Sequence, residues 1–87
     1  FAVRQYHKDM MQKAAKTLDD LPLEERYFLS HIFCIGEEQY QQIQEKMNTF
    51  FKELSLELKE SRPEKLDAVY SVGAQCFRLN RSKVVAD

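Results

Sequence analysis

At 87 residues the chain has room for one domain and no second independent core. It is 44% hydrophobic and 31% charged, with a formal net charge of −1, which matches a soluble globular protein. That near-neutral balance argues against a dedicated nucleic-acid surface, which carries a clear basic excess. No apolar run approaches the ~20 residues of a membrane span and no signal peptide is legible, so a cytoplasmic location with no membrane partner is expected. The first residue is Phe1 rather than methionine, so the chain reads as a fragment or processed piece of a longer protein.

The first element is a helix from Phe1 to Leu18. Val3, Tyr6, Met10, Ala14 and Leu18 recur at spacings of three and four and make one apolar face, with Arg4, Lys8, Lys13 and Lys16 turned away from it. Asp19, Asp20 and Pro22 end it, and LPLEER makes a tight connection because proline cannot continue the hydrogen-bond ladder.

RYFLSHIFCI, Arg26 to Ile35, is rich in aromatic and branched residues and too short for a buried helix, so it predicts a strand. Both of its faces are largely apolar, which calls for cover on both sides. Gly36 then opens a long helix that runs to about Glu60. Tyr40, Ile43, Met47, Phe50, Phe51, Leu54 and Leu58 form its stripe, and Glu37 and Glu38 stand in the first turn, where the helix dipole favours negative charge. Lys46, Lys52, Glu45, Glu53 and Glu57 read as its solvated face, and ESRPEK breaks it at Pro63.

From Ala68 a second strand is expected. Ala68, Tyr70, Val72, Ala74 and Cys76 make a strict period-two apolar face. Gly73 within it marks a bulge or a close approach by another group. Residues 1–81 form a single domain on this reading, and 82–87 a frayed tail. The two cysteines, Cys34 and Cys76, read as buried thiols in a reducing compartment, with a disulfide between the strands as the alternative.

Candidate chemistry is thin. His7, His31, Cys34 and Cys76 are the residue types of a tetrahedral zinc site, but residues 31 and 34 would point to opposite faces of a strand, and structural sites present paired ligands at short spacings. Glu24-Glu25 and Glu37-Glu38 are better explained as turn and helix-start residues than as acid–base pairs. No Gly-rich phosphate loop, G-x-S-x-G or H-E-x-x-H is present. Arg78, Arg81 and Lys83 form only a small basic cluster. No catalytic residue, cofactor or metal is expected, and the chain does not read as an enzyme.

YHKDMMQKAAKTLDDLPLEER leading into a strand, the F…L…L stripe of the long helix, and VYSVGAQCFRL together resemble a paralogous family of bacterial transcriptional regulators. That family is abundant in Fibrobacter succinogenes and in Bdellovibrio-type predators. The likeness runs from about Val3 to Arg81 and includes Arg26, the Val69-Tyr70 pair, Gln75 and Phe77-Arg78-Leu79. Three departures stand out: Arg78 where the family often has proline, Asn80-Arg81 where it has threonine-lysine, and Ile32 where a polar residue is usual. The resemblance implies a C-terminal region of unknown function that follows an N-terminal helix-turn-helix DNA reader.

Taken together, the expectation is an α+β fold in the order α-β-α-β. Long amphipathic helices would pack on a small two-stranded sheet completed by dimerisation, since an isolated strand pair is marginal in water. Tyr6, Met10, Phe50, Phe51 and Leu54 would supply the helix side of the core. Phe28, Ile32, Tyr70, Val72 and Cys76 would form the face that meets a second protomer in a homodimer, or the first helix. The function implied is a non-catalytic dimerisation or sensor domain of a transcriptional regulator that meets DNA only through a region outside this chain. One alternative is a sensor for an unidentified small ligand, with His31, Tyr70, Gly73 and Gln75 lining the pocket. Another is a protein-interaction module without DNA binding.

Overall fold

A computed structural model describes residues 2–66 and 68–80. The expected tail at 82–87, together with Phe1 and Arg81, lies outside the described residues. The chain divides into two units, Phe1–Phe33 and Cys34–Asp87.

The first unit is built on α1, Ala2–Asp20, a 19-residue helix that carries the expected three-and-four apolar spacing and stops two residues before Pro22. Met10, Ala14 and Thr17 are its half-buried positions. Its end charges oppose its dipole: Arg4 stands in the first turn and Asp19 and Asp20 in the last. Beyond it, a 3-10 turn at Leu23–Glu25 occupies the LPLEER connection. Arg26 closes that turn, its backbone N–H donating to the Leu23 carbonyl at 3.4 Å and its side-chain Nε–H to the Leu21 carbonyl at 3.1 Å. The arginine singled out by the family resemblance therefore ties the exit of α1 to the segment that follows.

The second unit is built on α2, Glu37–Glu60, whose 24 residues span about 36 Å. Gly36 is its N-cap, and the Gln39 side chain accepts from the Gly36 N–H at 3.0 Å. This is half of a capping box, since glycine has no side chain to return the bond. Glu37 and Glu38 in the first turn agree with the helix dipole, while in the last turn Lys59 is outnumbered by Glu57 and Glu60. At the far end the Ser61 N–H donates to the Glu57 carbonyl and the Ser61 hydroxyl to the Leu58 carbonyl, each at 3.0 Å. Ile43, Met47, Phe51 and Leu54 are half-buried along one face. Among the described residues, no helix is long and apolar enough to cross a membrane.

The two expected strands are absent, and the α+β expectation is corrected: among the described residues the protein is all-α. Residues 27–35 and 68–77 carry no ladder, and the backbone hydrogen bonds outside the helices belong instead to the turn and to the helix ends. The physical reason is locality. A helix pairs its N–H and C=O groups within its own segment, whereas a strand needs a neighbour, and two short strands make a marginal pair in water. Gly73 accordingly marks no bulge: its φ is not positive, and a Cβ built on it would meet nothing within 4 Å.

The expected core is corrected as well, because no described residue is fully buried. Met10, Phe51 and Leu54 reach half-burial, while Tyr6 and Phe50 are exposed. The cysteines are free thiols; Cys34 is exposed and Cys76 half-buried, so neither is the buried thiol that the strand reading called for.

Candidate apolar docking site on the second helix

One turn of α2 separates Ile43 from Lys46 and Met47, and a second turn separates these from Phe50. Offsets of three, four and seven residues place all four on one patch of helix surface. Across from them stand Val72, Gly73 and Ala74, and with Phe51 these residues line an open hollow of about 250 Å³. Gly73 contributes backbone and no side chain to this wall. Phe50 and Phe51 meet edge to face with ring centroids 5.5 Å apart, which fixes the aromatic side of the hollow.

Among the described residues, Lys46 is the one ionisable residue in this lining. It also borders, with Phe50, a more polar depression on the neighbouring face of α2 that includes Gln42, Glu45, Thr49 and Glu53. Lys46 and Glu53 therefore flank Phe50 along the same side of the helix. The hollow suits an apolar group, with Lys46 as the charge at its rim and Glu53 in the neighbouring depression.

Of the residues expected to line a ligand pocket, Gly73 does so. Tyr70 is 81% exposed and Gln75 is exposed, and neither joins the lining. His31 belongs to the first unit, where its ring stacks on Phe33 at 5.9 Å. Of the expected interface residues, Val72 lines the hollow and Cys76 is half-buried nearby in sequence. Phe28 and Ile32 lie in the first unit and are exposed, Ile32 at 82%. The sequence reading missed Lys46 by assigning it to the solvated face, and it placed Phe50 and Phe51 in a core. The 43-46-47-50 spacing was the signal that could have picked out the site.

A family model matches residues 1–79, described as a domain of unknown function, DUF4423. The chain belongs to this family. The match takes in α1, α2 and the whole lining of the hollow, so the site lies on the DUF4423 portion of the chain. Neither a curated protein nor a solved structure matches it.

Proposed function

We propose that this DUF4423 domain is a non-catalytic dimerisation domain of a cytoplasmic bacterial transcriptional regulator, with DNA contacted by a part of the regulator other than these 87 residues. The observation that carries the reading is the apolar stripe of α2. It runs from Tyr40 to Leu58, yet none of its residues is fully buried, and Phe50 and Leu58 are exposed. An apolar helix stripe left in water favours association, because covering it releases ~25 cal/mol for each Å² of apolar surface. The near-neutral charge suits a domain that sets the spacing of DNA readers rather than one that grips phosphate. The resemblance to bacterial regulators gives the biological setting.

Light scattering over a dilution series tests the self-association. The expected mass is twice that of the 10.3 kDa chain and constant with concentration, and a monomer at the highest concentration overturns the reading. The regulatory part is tested by joining the chain to a DNA-reading domain that binds its operator only as a dimer. Operator binding is expected to return, and its absence in a soluble fusion counts against the role.

A second reading is favoured by Gly73 in the wall of the hollow: a sensor in which a small apolar ligand occupies that space. A saturable change in the amide signals of Val72, Gly73 and Ala74 on titration with a small aromatic probe is its expected sign.

A further inference from the structure

We infer that two copies of this chain pair through α2 in antiparallel fashion, each placing its Phe50 in the hollow of the other; this rests on the dimerisation reading above. The first support is shape. Of the residues lining the open hollow, Ile43, Lys46, Met47 and Phe50 stand at offsets of zero, three, four and seven. That is the spacing of the hole that receives one knob from a facing helix, and Phe51, Val72, Gly73 and Ala74 are the hollow's other walls. The stripe Tyr40, Ile43, Met47, Phe50 and Leu54 alternates steps of three and four, which is the 3.5-residue repeat of such a seam. Centring a two-fold axis between Asn48 and Thr49 sets Met47 against the partner's Phe50 and Ile43 against the partner's Leu54. In that register the knob that meets the 43-46-47-50 hole is the partner's Phe50, and the relation is mutual.

Charge supplies the second support. The same register brings Lys46 beside the partner's Glu53, and Glu53 beside the partner's Lys46, along the flank where both border Phe50. Two opposite-charge pairs form at once. Within one helix these residues are two turns apart, about 10.5 Å along the axis, so they do not pair in cis. The parallel alternative has no such pairs: it sets Lys46 beside the partner's Phe51 and Glu57 directly opposite the partner's Glu57. Antiparallel pairing also opposes the two helix dipoles, and it sets Glu38 level with the partner's Lys59 and Glu37 level with the partner's Glu60.

The test uses the whole 87-residue chain and three variants, Phe50→Ala, Lys46→Glu and Glu53→Lys. All three positions are exposed in the single chain, and circular dichroism checks that helix content is kept. Phe50→Ala is expected to raise the dimer dissociation constant about a hundredfold, as loss of a central aromatic anchor does. Each charge reversal alone is expected to raise it about tenfold, since it turns two attractive pairs into two repulsive ones. Mixing the Lys46→Glu chain with the Glu53→Lys chain should restore a tight dimer, because each opposing pair is then complementary, and native mass spectrometry would show the mixed species. A dimer that ignores both reversals overturns this geometry but leaves the dimerisation reading standing. A monomer at every concentration overturns both, whether or not a small aromatic probe or another protein fills the hollow.

Discussion

The irregular segments 27–35 and 68–77 are much richer in apolar residues than the α2 helix, yet only α2 is ordered by its own hydrogen bonds. Glu37–Glu60 needs nothing beyond itself to pair its backbone, and local chemistry at both ends supports it: Gln39 on the Gly36 N–H, Ser61 on the Glu57 and Leu58 carbonyls. The irregular segments have the residue types that fill strands, but strand propensity describes the fit to a pleated, half-covered surface, and no such surface is present among the described residues. The contrast teaches that apolar content decides what a segment would bury, while the reach of its hydrogen bonds decides whether it is ordered alone.

That contrast can be broken most forcefully at Thr49, an exposed residue in the middle of α2. Thr49→Pro removes a ladder bond and clashes with the preceding turn at a cost of about 3 kcal/mol or more. A large drop in ellipticity at 222 nm is expected, and an unchanged spectrum would mean that α2 is held by something other than its own ladder. Next in size is Met47→Ala, which strips half-buried surface from α2 where Val72 to Ala74 lie opposite. A loss of about 1 kcal/mol in urea titration is expected. The cap comes third: Gln39→Ala leaves the Gly36 N–H without its acceptor and should cost about 0.5–1 kcal/mol, seen as faster amide exchange confined to the first turn. The smallest effect sharpens the other side of the comparison. Gly73→Ala meets no neighbouring atom within 4 Å and violates no positive φ, so a stability change between zero and a gain of about 0.5 kcal/mol is expected. A clear loss would reveal a partner for that backbone.

Both helices were legible because their signals are local. The three-and-four spacing from Val3 to Leu18 and from Tyr40 to Leu58, with Pro22 and Pro63 after them, located α1 and α2 to within two residues. The strands were misread because RYFLSHIFCI and AVYSVGAQCF were judged by composition and alternation, which say nothing of whether a ladder partner exists. The bulge at Gly73 went with them, since a bulge is defined by the strand opposite. The hollow was half legible. Val72 and Gly73 were singled out, and Phe50 and Phe51 were picked as core residues. Lys46 is not legible as part of the hollow, because a charged residue at the edge of an apolar stripe has the same pattern as plain solvent contact.

The charges in the last turn of α1 oppose its dipole and those in the first turn of α2 agree with it, which gives these two turns opposite responses to dissolved salt. Screening shortens the Debye length from about 10 Å at 0.1 M to about 3 Å at 1 M. It should relieve the penalty of Asp19 and Asp20 at the end of α1 while removing the benefit of Glu37 and Glu38 at the start of α2. Sodium chloride therefore acts on this chain as a lever with two arms, steadying the end of α1 as it loosens the start of α2. Residue-resolved carbon chemical shifts across a salt titration would show the two terminal turns moving with opposite sign, even where the total helical signal stays flat.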